Sequence, residues 1–141
     1  VLNPWVRHCC MDSCPLRCIY LSGDVMQIGI MANINYCGVS SIVQKLVARL
    51  EEDGQEVFIE DHARTCMECE GNFVSLNDLS SICEILIVLG GDGTFLVASR
   101  AVAKRNMPIL GVNLGRLGFL AETTLENLYD HLPAIYKGDY L

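Results

Sequence analysis

The chain has 141 residues, 51% of them hydrophobic and 19% charged, and 10 Lys and Arg against 17 Asp and Glu leave a formal charge of −7. That length suits one domain of roughly 150 residues, and an apolar half with modest charge collapses instead of staying solvated, which excludes disorder. The acidic balance, without a basic stripe, argues against nucleic-acid partners, and the longest wholly apolar run, Ile85 to Leu89, is far short of the about 20 residues that span a bilayer.

Residues 1–25 lack periodicity and start with Val, so they are expected to form a poorly ordered extension with no part in the chemistry. They also carry four of the eight cysteines, Cys9, Cys10, Cys14 and Cys18; the others, Cys37, Cys66, Cys69 and Cys83, are scattered. No basic head followed by an apolar core marks a signal peptide, so reduced thiols and a cytoplasmic location are expected. Two zinc arrangements are conceivable, His8 with the amino-terminal cysteines and the Cys66-Met-Glu-Cys69 pair. Pro15 interrupts the first and the second lacks a partner pair, so no metal ligands are assigned.

Met26 to Ala32 reads as a strand running into the turn-rich Asn33 to Gly38. Ser40 or Ser41 is expected to cap a helix whose apolar stripe is Ile42, Val43, Leu46, Val47 and Leu50, with Gly54 ending it. Glu56 to Glu60 follows as a second strand, completing a parallel βαβ unit. Asp61 to Asn77 reads as a loop with one short helical turn. Ile85 to Leu89 has the unbroken apolar character of a central parallel strand buried on both faces. A helix is expected from Phe95 to Arg105, a fourth strand from Met107 to Val112, and a last helix from a Thr123/Glu126 capping box to about Tyr136. The class predicted is α/β, a three-layer open and mainly parallel sheet.

The segment Gly90-Gly-Asp-Gly-Thr94 places three glycines and a carboxylate at the carboxyl end of the buried strand, where open α/β sheets bind ligands. Glycines let a phosphate approach the backbone, and the amides opening the next helix supply donors. Thr94 could cap that helix or donate to a phosphate oxygen. Asp92 would repel a phosphate unless it takes a proton from a hydroxyl nucleophile or meets a magnesium ion; the plainer alternative is a solvated turn residue. Asn113 and glycines 111, 115 and 118 follow the next strand, so two glycine-rich turns on adjacent strands would form one crevice large enough for a dinucleotide. In it Phe119 could face a base or sit in the core, Asn113 could bind or merely brace its loop, and Arg116 could reach a phosphate or solvent. His62, with no carboxylate in a recognisable pattern, reads as a surface histidine.

At these residues the chain resembles the NAD kinase family. The likeness lies in "GGDGTFL" (Gly90 to Leu96) followed by "PILGVNLGRLGFLAE" (Pro108 to Glu122), with "IGIMANINY" and "IYKGDYL" resembling bacterial members. It covers about residues 26–141. Diacylglycerol and sphingosine kinases and phosphofructokinases share relatives of the first motif; the second points to NAD kinase. The resemblance implies a Rossmann-like amino-terminal domain and phosphorylation of the adenosine-ribose 2′-hydroxyl of NAD, with ATP or polyphosphate as donor and a divalent metal, Mg²⁺. It implies Asp92 as proton acceptor, Gly90, Gly91, Gly93, Thr94 and Asn113 at the nucleotide, and Phe119 on the adenine. The family continues past "GDY" into a β-rich domain that supplies half of the substrate site, so the piece ending at Leu141 is expected to turn over little or nothing alone. Part of the apolar excess would face that domain or a neighbouring subunit of a homo-oligomer. The alternatives are a non-catalytic nucleotide-binding fragment and a lipid kinase domain; the absence of a basic amphipathic surface counts against the lipid kinase.

Overall fold

A computed structural model describes residues 25–67, 71–115 and 123–138. The expectation for residues 1–24 therefore lies outside the described residues. The element order is β1 (Gln27–Ala32), α1 (Val39–Glu52), β2 (Glu56–Glu60), a 3₁₀ turn (Asp61–Thr65), β3 (Phe73–Val74), α2 (Leu76–Ile82), β4 (Ile85–Gly90), α3 (Asp92–Val102), a second 3₁₀ turn (Ala103–Arg105), β5 (Ile109–Asn113) and α4 (Leu125–Tyr136). The five strands form one sheet in the order β3-β2-β1-β4-β5. Every pairing between these strands is parallel. This is the three-layer α/β architecture expected.

Alternation along the central strands sends side chains to two separate cores. Ile28, Ile30, Ile85, Ile87, Leu89 and Val112 pack with Val43, Leu46 and Leu50 of α1 and Leu128, Leu132 and Ile135 of α4. Met31, Leu86 and Val88 pack on the other face with Leu79 and Cys83 of α2 and Ala98 and Val102 of α3. A strand buried on both faces needs an unbroken apolar run, and all six residues of β4 are buried. Among the large apolar side chains described, Tyr36, Ile82, Leu96 and Val97 are the exposed ones. No helix among the described residues is long and apolar enough to cross a membrane.

Several boundaries differ from expectation for local reasons. Helix α1 starts at Val39 behind Gly38, whose φ of 83° turns the loop into the helix, and no side chain caps it; Ser40 and Ser41 lie inside the first turn. Helix α3 starts at Asp92, three residues before Phe95, because the Phe95 amide bonds the Gly91 carbonyl at 3.1 Å. The cap of α4 is Thr124, whose hydroxyl accepts from the Asn127 amide at 3.3 Å. Thr123 is occupied by the sheet: it forms a bridge with Val112, and its carbonyl accepts from the Asn113 amide at 2.8 Å. Strand β3 and helix α2 fill the stretch expected to be loop and its continuation, with the Ser75 hydroxyl accepting from the Asp78 amide at 3.1 Å to open α2.

Candidate functional site

The sheet order makes the site. From β1 the chain crosses through α1 to β2 on one side, while from β4 it crosses through α3 to β5 on the other. The two helices cover opposite faces, so the loops leaving β1 and β4 diverge and open a crevice at the carboxyl edge, the switch point where such sheets bind ligands. Parallel register sets Gly90 beside Asn113. On the other side Ala32 pairs with Leu89, and the Asn33 amide continues the ladder to the Leu89 carbonyl at 2.8 Å. Asn33, Gly90 and Asn113 therefore stand in one row across β1, β4 and β5.

Each asparagine folds its own turn. The Asn33 side-chain oxygen accepts from the Asn35 amide at 3.1 Å, and that of Asn113 from the Gly115 amide at 3.0 Å. Such turns end a strand by satisfying an amide that the ladder no longer serves. Gly90 between them is needed for space: a Cβ there would lie 2.8 Å from the Thr94 hydroxyl and 3.2 Å from the Asn33 Cβ. Thr94, in the first turn of α3, thus packs beneath the end of β4 and does not cap the helix; the cap position is Gly91.

Gly91 and Gly93 are different. A Cβ on either would meet nothing within 4 Å among the described residues. Gly91 has φ −122°, open to any residue, and Gly93 sits inside α3. Among the described residues, neither backbone conformation nor packing asks for glycine at these two positions. The first-turn amides of a helix point out of its end, and the dipole there favours negative charge. Asp92, half-buried as the first residue of α3, presents a carboxylate at that same end.

The structure thus brings Gly90, Gly91, Asp92, Gly93, Thr94 and Asn113 to one edge. Phe119, Arg116 and Gly118 lie outside the described residues. His62 is the surface histidine expected, its side chain 79% exposed, but it does have a carboxylate partner: its Nδ1 is 2.7 Å from Oε1 of Glu60, which is buried at the end of β2. The other Glu60 oxygen accepts from the His62 amide at 3.2 Å, so the pair closes the 3₁₀ turn. Strand β2 is two spacings from β4, about 10 Å, which sets the pair at the margin of the crevice. Sequence reasoning also passed over Asn33 and Tyr36 in the loop after β1. Tyr36 approaches the opposite loop, its ring Cε2 3.9 Å from where a Cβ on Gly115 would stand. Cys66 donates to the Ala63 carbonyl at 3.3 Å, and Cys69 lies outside the described residues.

A family profile described as "ATP-NAD kinase N-terminal domain" matches residues 28–140. The NAD kinase of Marinomonas sp. strain MWYL1 is 35% identical over 115 residues, 81% of this chain and 39% of that protein. The NAD kinase of Geotalea daltonii is 38% identical over 114 residues, 81% of this chain and 40% of its own length. The chain thus spans about two fifths of the curated relatives it matches. Among solved structures, yeast NADH kinase complexed with NADH superposes with a TM-score of 0.69 at 17% identity, over 82% of this chain and 39% of that one, a likeness of fold. With the matched profile covering most of the chain, and relatives 35–38% identical over 81% of it, the chain belongs to the ATP-NAD kinase N-terminal domain family.

Proposed function

We propose that this chain supplies the phosphate-cradling half of an NAD kinase, which transfers a phosphoryl group from ATP to the 2′-hydroxyl of the adenosine ribose of NAD. The observation that carries this reading is the pair Gly91 and Gly93, glycines whose added Cβ would meet nothing within 4 Å among the described residues, at the start of a helix on the carboxyl edge. A dinucleotide pyrophosphate laid against them would use the space a Cβ would take, with the helix amides as donors. Asp92 between them accepts the proton of the ribose hydroxyl as its oxygen attacks the γ-phosphorus of ATP, and the bond from that phosphorus to the bridging oxygen breaks with ADP leaving. In-line phosphoryl transfer asks little more of a protein than positioning, charge neutralisation and that deprotonation. Thr94 and Asn113 hold the two turns, and Phe119 is assigned to the adenine.

A divalent cation fits this arrangement in one way. Among the described residues no three His, Cys, Asp or Glu side chains cluster as a metal cage. Mg²⁺ in phosphoryl-transfer sites is held by one or two carboxylates together with the substrate phosphates, so Asp92 could serve as a carboxylate ligand. The ion would neutralise charge on the transferring group. The relatives' names support NAD as substrate and the family's description supports ATP; a cytoplasmic location and a homo-oligomer are part of the same proposal.

The test is NADP formation by the chain and by any longer polypeptide containing it, with Asp92→Asn beside the parent. Removal of a general base costs about 10²–10⁴-fold in turnover. A variant that keeps its fold and forms NADP at the parental rate overturns the assignment of Asp92. Phosphorylation of diacylglycerol, with none of NAD, would favour the lipid kinase instead.

A further inference from the structure

We propose that Tyr36 is an aromatic surface on which one base of the dinucleotide rests; the assignment presupposes the crevice to be the NAD site. The backbone of Tyr36 is fixed at both ends. Its amide donates to the Asn33 carbonyl at 3.1 Å, and its carbonyl accepts from the Val39 amide at 3.2 Å. The residue is thereby held between the Asn33 turn and the first residue of α1. Its ring leaves the β1 side and approaches the bare backbone of Gly115 on the β5 side, 3.9 Å from where a Cβ would be. Because β1 and β5 flank β4, that approach carries the ring past the end of β4, above the row Asn33, Gly90 and Asn113.

Tyr36 is nevertheless 36% exposed, so part of the residue stays open to a ligand. Gly91 and Gly93, where a Cβ would meet nothing within 4 Å among the described residues, stand on the same carboxyl edge of the sheet. A ring positioned in advance loses little freedom when a ligand arrives, having only two side-chain torsions. Any base presents a π-face to it, so the contact needs the ring and not the hydroxyl. With the pyrophosphate against the glycines, a base at either end of the dinucleotide lies within reach.

The experiment titrates the isotope-labelled chain with NAD and, separately, with inorganic pyrophosphate, following backbone amides by NMR. Parent, Tyr36→Phe, Tyr36→Leu and Tyr36→Ala are compared, with thermal unfolding of each as a check on the fold. Pyrophosphate has no base, so it reports the glycine turn alone. The expected result is that NAD binding weakens roughly tenfold in Tyr36→Leu and Tyr36→Ala and stays within about twofold in Tyr36→Phe, while pyrophosphate binding is unchanged throughout. Equal weakening of both ligands would make Tyr36 a structural brace and overturn the proposal. Unchanged NAD binding in Tyr36→Leu would overturn it while leaving the NAD site standing. Where the chain shifts with neither ligand, the titration is repeated on a longer polypeptide containing it, and the absence of any shift there would overturn the proposal together with the NAD reading beneath it.

Discussion

Asn33 and Asn113 end β1 and β5 in the same way, one on each side of Gly90, each side-chain oxygen accepting from the amide two residues on. The strand between them is thus framed by two turns that are fixed before any ligand arrives. Each such hydrogen bond contributes about 0.5–1.5 kcal/mol net. Their larger effect is geometric, because a glycine-rich strand end with no side chains to pack would otherwise have little to define its course.

Gly90→Ala tests how tightly that frame closes. The added methyl would stand 2.8 Å from the Thr94 hydroxyl, 3.0 Å from the Thr94 Cβ and 3.2 Å from the Asn33 Cβ. Because Thr94 lies in the first turn of α3, relief requires its side chain or the helix start to move. Overpacking of this kind costs about 1–3 kcal/mol, expected as a lower urea midpoint at unchanged m-value. A midpoint equal to the parent's would show that the start of α3 yields freely.

Gly93→Ala should separate stability from binding. Glycine in an exposed helix costs roughly 0.8–1 kcal/mol relative to alanine, and a Cβ at Gly93 meets nothing within 4 Å among the described residues. The variant is therefore expected to melt a few degrees higher than the parent. It is also expected to bind pyrophosphate more weakly, since the methyl enters the space assigned to the phosphates. Greater stability with undiminished binding would remove Gly93 from the cradle.

Much of this was legible in the sequence, and what was not has a physical cause. Strand β4 announced itself because burial on both faces demands five consecutive apolar residues, Ile85 to Leu89. The stripe of α1 was visible for the same reason, its core face repeating through Val43, Leu46 and Leu50. Helix α2 escaped because seven residues give no stripe: only Leu79 and Ser80 are buried, and Asn77, Asp78 and Ser81 dilute the pattern. A signal existed in Ser75 three residues before Asp78, a capping pattern. The place of Asn33 in the site was invisible in principle, since it depends on β1 lying beside β4, and periodicity does not give strand order. Glu60 and His62 are two apart on the chain, yet only the bend at the end of β2 turns one toward the other.

The carboxyl ends of α1 and α4 are joined by one hydrogen bond, from the Tyr136 hydroxyl to Oδ2 of Asp53 at 2.7 Å across 83 positions of sequence. Burial and then this bond hold the phenol proton above its ordinary range. The same oxygen lies 2.9 Å from Nε of Arg49, whose side chain is 44% exposed, so that ion pair contributes little. Tyr136→Phe is expected to cost about 1 kcal/mol in chemical denaturation. Most of that loss should vanish when Asp53 is already replaced by Asn and Arg49 by Gln. Fully additive losses would show that Tyr136 acts by packing and not through Asp53.

Cys83 should leave a mark on stability at alkaline pH. It closes α2 beneath β1, its Sγ 3.2 Å from where a Cβ on Gly29 would stand. Burial, helped by the nearby carboxylates of Glu56 and Glu84, pushes its thiol from 9.0 up to about 12. The unfolded chain releases this proton near the ordinary value while the fold retains it, so the folded state holds more protons through that interval and loses stability as pH rises. The contribution is intact below about pH 9 and is lost as pH climbs toward 12. One proton corresponds to at most about 1.4 kcal/mol per pH unit. Cys83→Ala should be less stable than the parent at pH 7 through lost packing, yet its stability should fall less steeply between pH 9 and 10.5. The exposed Cys37 is common to both proteins and cancels in the comparison. Parallel slopes in urea midpoints over that range would mean that the Cys83 thiol ionises as readily inside the fold as outside it.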